Sequence, residues 1–104
     1  MKSYTYLNNL LNQVPDIPPD SIISRTIYQD DQIKAVLFGF APGQELSEHT
    51  ASKPAVLHFL EGEAHIKLGE TWLEAQAGTW VHLPPLLAHS IQAKTKLVML
   101  LLLL

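Results

Sequence analysis

From residue 22 to the end, apolar or alternating segments of four to ten residues follow one another, with turn-forming residues and no helical periodicity between them. Residues 22–28 and 32–41 flank Asp30-Asp31, and Pro42-Gly43 supplies the next turn. Residues 55–60 run apolar but for His58, Glu61-Gly62 turns the chain, and residues 63–68 alternate with Ala64, Ile66 and Leu68 on one face. Gly69-Glu70, Gly78 and Pro84-Pro85 then separate residues 72–75, 80–83 and 88–93 from the closing run 97–104. Proline presets φ and glycine accepts a positive one, so these pairs mark turns by a stated mechanism. Short strands at such spacing predict an antiparallel all-β sandwich or barrel.

Two segments fall outside that rhythm. Residues 4–14 carry Leu7, Leu10 and Leu11 at i, i+3, i+4, which predicts one or two turns of helix ended by Pro15, Pro18 and Pro19. Residues 1–20 are therefore read as an N-terminal arm and residues 21–104 as one barrel domain. The tail after Lys96 has eight apolar residues, far short of the roughly 20 of a spanning helix. It predicts a strand buried on both faces, inside the barrel and under a partner, hence a homodimer.

Composition narrows the partners. At 104 residues the chain can bury one core, and 47% hydrophobic content is globular rather than disordered. Without cysteine, disulfides and thiolate metal sites are excluded. The net charge of −3 and the scatter of seven Lys and Arg give no phosphate-tracking patch, so no nucleic-acid partner is expected. No signal peptide is read at the N-terminus and no membrane partner is expected, which makes the cytoplasm the expected compartment.

Residues 42–51, Pro42-Gly43-Gln44-Glu45-Leu46-Ser47-Glu48-His49-Thr50-Ala51, followed by Phe59-Leu60-Glu61-Gly62-Glu63, resemble the first motif of the cupins. Residues 78–89, from Gly78 through Pro84 to His89, resemble the second. The likeness spans roughly residues 34–104 and is strongest to small single-domain, RmlC-like cupins with a cupin-2-type conserved barrel. It implies a double-stranded β-helix, a jelly-roll barrel, with a metal or small molecule at its mouth. Of the four positions that hold metal in that family, His49 and His89 match, whereas Ala51 stands for the second histidine and Ala55 for the glutamate. Leu86 replaces the glycine after the second motif's proline.

Divalent transition metals take three or four protein ligands, and imidazole suits iron, nickel, copper and zinc. With His49 and His89 as two, the candidates for a third are His58, Gln44, Glu45 and Glu48. Glu45 shares strand parity with His49, while His58 has the opposite parity to Ala55 and needs a bulge to turn inward. His58 is also readable as a core histidine bonded to a backbone carbonyl. His65 reads as solvent-facing, His82 as a packing residue at a strand end, and Trp72 and Trp80 as core or interface aromatics. Val36, Phe38, Leu57, Phe59 and Ile91 are candidates to line the interior.

The sequence thus predicts a protein that binds a divalent metal (Fe, Mn, Ni or Zn), a small molecule, or both, through His49 and His89, with His58 as candidate third ligand. A metal-dependent enzyme, resembling cupin dioxygenases or isomerases, is one alternative, and a metal-free binding or sensing module is another. A metal-free enzyme with a histidine base ranks behind both.

Overall fold

The computed structural model describes residues 3–104. Its strands are β1 (Ile22–Gln29), β2 (Lys34–Phe40), β3 (Glu45–His49), β4 (Ala55–Glu61), β5 (Glu63–Leu68), β6 (Thr71–Gln76), β7 (Trp80–Leu83), β8 (His89–Ala93) and β9 (Leu97–Leu103). They form two antiparallel sheets, a five-stranded one in the order β1-β2-β9-β4-β7 and a four-stranded one in the order β3-β8-β5-β6. This is the predicted all-β jelly-roll.

The arm departs from expectation. The predicted helix over residues 4–14 is a single 3₁₀ turn, Leu10–Gln13, whose cap Asn9 accepts the Leu11 N–H at 3.1 Å. A first helical turn fixes three residues for one hydrogen bond, and so short a segment cannot recover that cost. Asn8, Asn9 and Asn12 also favour local side-chain bonds over helix. The leucines serve tertiary contact instead: Leu7 and Leu10 line a groove with Tyr28 and Ile33 on the five-stranded sheet.

Strand alternation sorts the tail. Leu97 and Met99 are fully buried in the core between the sheets, with Leu101 and Leu103 packed against it. Val98, Leu100 and Leu102 point the other way, in register with Gly39, Leu37 and Ala35 of β2. The tail is therefore an interior strand, hydrogen-bonded on both edges, between β2 and β4. Each fully buried Leu, Phe, Met or Ile side chain contributes about 1.5–3 kcal/mol, so Phe40, Leu57 and Phe59 beside this strand and Ile66 and Ile91 on the facing sheet hold the two sheets together.

Two glycines are close approaches. A Cβ on Gly39 would lie 2.7 Å from Ile17 Cδ1 and 3.1 Å from Val14 Cγ1, because the arm lies directly on the outer face of β2. Gly62, between β4 and β5, has φ +91° and a Cβ there would lie 1.9 Å from the Lys96 carbonyl oxygen. The β1–β2 turn is fixed by Asp30, whose carboxylate accepts the N–H groups of Gln32 at 2.8 Å and Ile33 at 2.9 Å. Among the described residues no helix is long and apolar enough to cross a membrane.

Candidate functional site

His49 ends β3 and His89 opens β8, and the two are paired directly across those strands. Their ring centroids are 4.2 Å apart with the planes inclined by 57°. His89 points between the sheets at one end of the barrel, and His49, exposed at the mouth, shares that face. For His89 this follows from Ile91, two residues along and 1% exposed in the core. For His49 it follows from a bulge. The β3–β8 register runs Leu46 to Ile91 and His49 to His89, so Ser47 and Glu48 together stand opposite Ser90.

That bulge changes the parity read from the sequence. Leu46, not Glu45, shares the face of His49. Glu45 pairs with Gln92 on the outer surface, and Glu48 lies 3.7 Å from Lys67, so neither carboxylate accompanies the histidines. The signal was an apolar Leu46 spaced three, rather than two, residues from His49. Gln44 lies at the opposite end of β3 from His49, its carbonyl accepting the Ala93 N–H at 2.9 Å.

His58 does not join the pair. Its neighbours Leu57 and Phe59 point into the core, and it faces outward between Leu100 and Trp80. The bulge that would turn it inward is absent: the β4 irregularity falls between Phe59 and Glu61, after His58. Among the described residues no three His, Cys, Asp or Glu side chains converge into a metal-binding group. His65 contacts Glu74 at 2.8 Å on the exposed face of the four-stranded sheet, and His82 stands exposed on β7. Trp72 and Trp80 are 57% and 61% exposed, so neither is a core aromatic. Phe38, Leu57, Phe59 and Ile91 do belong to the interior, and Val36 is buried.

The two rings are held alike. The Nδ1 of His49 is 2.8 Å from the Ser47 carbonyl oxygen, and the Nδ1 of His89 is 2.9 Å from that of Leu87. A carbonyl oxygen can only accept, so both Nδ1 atoms carry the proton and both Nε2 atoms present a lone pair in the neutral ring. His89 is 6% exposed. No fully buried side-chain nitrogen or oxygen lacks a partner among the described residues, so the unpartnered Nε2 of His89 reaches the barrel mouth. Burial chiefly, with the nearby His49 adding, pushes the His89 pKa below the ordinary imidazole value, against the backbone bond that raises it. The neutral, lone-pair-bearing form is thereby favoured.

The loops behind the histidines are tied together. The Leu86 N–H donates to the Ala51 carbonyl at 2.8 Å, joining the loop after His49 to the loop before His89. Leu86 has φ +69°, the left-handed region where the resemblance expects glycine, and it is exposed at the mouth. For a non-glycine residue that conformation costs roughly 1–2 kcal/mol, and the tether to Ala51 helps to hold it.

No family model and no curated protein matches this chain. Solved structures do. A cupin superfamily protein from Desulfitobacterium hafniense is similar at a TM-score of 0.84 and 24% identity, over 90% of this chain and 86% of that one. A conserved Streptococcus pyogenes protein of unknown function is similar at 0.85 and 24% identity, over 99% and 90% of the two chains. An RmlC-like cupin from Shewanella frigidimarina is similar at 0.80 and 19% identity, again over 99% and 90%. With two sheets closed around the core and paired histidines at the positions of the cupin motifs, this chain has the small cupin fold.

Proposed function

We propose that this cupin-type barrel binds a small oxygen-donor ligand at its mouth, together with a divalent transition metal that the ligand helps to hold. The reading rests on the His49–His89 pair, two imidazoles with centroids 4.2 Å apart, each fixed through Nδ1 and each with Nε2 free. Imidazole nitrogen held by a second hydrogen bond is a standard donor for iron, manganese, nickel or zinc. The donor set fits such an ion only in part. Two protein nitrogens leave two or more coordination positions to water or to the ligand. A ligand with two oxygens able to chelate fills those positions and raises the affinity of both components. When bound, the metal would polarise the ligand's oxygens. His49 and His89 orient it, while Leu46 and Ile91 keep the inner wall apolar.

The test is calorimetric titration of apo-protein with Zn(II) or Ni(II), with and without a small dicarboxylate, for the wild type and for His49→Ala and His89→Ala. Binding strengthened by the dicarboxylate and lost in both variants is the expected result. Equal binding by both variants places the metal elsewhere and defeats the reading.

A further inference from the structure

One residue at the mouth keeps a backbone conformation that its side chain does not suit. Leu86 has φ +69°. Elsewhere among the described residues a positive φ falls on Gly43, Gly62, Gly69 and Gly78, which lack a Cβ, and on Asp20, whose short polar side chain tolerates it. For a bulky side chain that region is a genuine outlier. Strain of this kind persists where the surroundings impose it, and it gathers at ligand clamps and active sites.

The surroundings of Leu86 fix its backbone and leave its side chain alone. Its N–H donates to the Ala51 carbonyl at 2.8 Å, and the Gly69 N–H donates to the Ala88 carbonyl at 2.8 Å, holding the loop that follows. The neighbouring Leu87 packs against the core, and a Cβ on Gly69 would lie 3.5 Å from its Cδ1. Leu86 has no such burial and is 69% exposed. Glycine would hold the same turn without strain, so the backbone gives no reason for a branched apolar side chain here. The position does give one. Leu86 stands three residues before His89 and is tethered two residues after His49, on the rim that joins the two imidazoles. The strand positions around the pair are apolar too: Leu68 pairs with His89 and Leu46 with Ile91, both leucines packed against the core.

We propose that Leu86 is the specificity-determining residue of this mouth, packing against an apolar substituent of the chelating ligand. The inference rests on the reading of the His49–His89 pair as the ligand's anchor, and it names the class favoured there. That class is a small carboxylate that chelates through two oxygens and carries an alkyl or aryl branch beside them. With the oxygens held at the histidines, the branch meets the rim, and leucine surface exposed in the free protein leaves water only in the complex.

The experiment is calorimetric titration in the presence of Zn(II), with malonate and butylmalonate as the two probes, for the wild type, Leu86→Gly and Leu86→Asn. Glycine and asparagine both accept a positive φ, and the site is exposed, so both variants fold with an unchanged circular dichroism spectrum. Burying one methylene is worth roughly fourfold in affinity, so contact equivalent to two, not fully enclosed, gives the wild type about a tenfold preference for butylmalonate. Both variants lose that preference and bind malonate as the wild type does. Whatever the two probes share, the metal and the chelate included, cancels in the ratio. Malonate binding without the preference in the wild type, or with the preference kept in both variants, overturns the proposal and leaves the histidine site standing. A wild type that holds neither probe with zinc defeats the reading of the site itself, and this inference falls with it.

Discussion

His89 is the residue where burial, hydrogen bonding and function meet. Its ring is enclosed, its Nδ1 proton is committed to Leu87, and its pKa lies below the ordinary value near 6.5. Above that value both folded and unfolded chains carry the ring neutral, and it contributes nothing to the pH dependence of stability. As pH falls below it, the unfolded chain takes up a proton that the folded chain resists, so stability is lost down to the lower folded pKa. Urea unfolding at pH values of about 7.5 and about 5.5 should show this loss in the wild type and a smaller one in His89→Gln. Equal losses in both would remove His89 from the titration. His49 was legible as its companion from the motif alone, but the carboxylates beside it were not. Glu45 has the right parity on a regular strand, and the extra residue at Ser47-Glu48 reverses it. A bulge leaves only the displaced apolar residue, Leu46, as its trace in a sequence.

At the scale of elements, turn chemistry was the most readable part. Each glycine or proline pair that interrupts the apolar runs falls between strands, because the φ it permits is a local property. Gly62 adds a tertiary demand that no local rule contains. Its φ of +91° alone disfavours alanine, and the Lys96 carbonyl 1.9 Å from a would-be Cβ adds a backbone clash. Gly78 has φ +97° with nothing within 4 Å, so Gly78→Ala isolates the conformational cost, about 1–3 kcal/mol. Gly62→Ala should cost that and more, displacing the turn between β8 and β9. Chemical denaturation of the two variants measures the difference. Equal midpoints would show that the close approach is relieved at no cost. The arm departs for the converse reason: Leu7 and Leu10 line a groove beside the sheet rather than a helix stripe, and Leu11 is left 40% exposed.

For the whole molecule, the arm and the histidine pair are separate devices on one barrel. The arm lies on the outside of the five-stranded sheet, while the pair stands on the four-stranded sheet, with His89 buried and His49 exposed at the mouth. Removing the chain through Ile17 strips Val14 and Ile17 from Gly39 and takes the cover from Val98, which is 2% exposed. Losing the burial of these apolar side chains costs about 3–5 kcal/mol as an upper value, since unfolded chains already hide some apolar area. The truncated chain should therefore unfold at lower denaturant concentration and associate more readily through its bared face. Its mouth is unchanged: the Leu86–Ala51 tether and the two Nδ1 bonds all lie outside the deleted segment. Metal titration at a temperature where the shortened chain is still folded should match the wild type, while the unfolding midpoint falls. A truncated chain as stable as its parent would show that the arm is not a cover for the sheet. Lost binding in a folded truncated chain would instead show that sheet and site are coupled through the core.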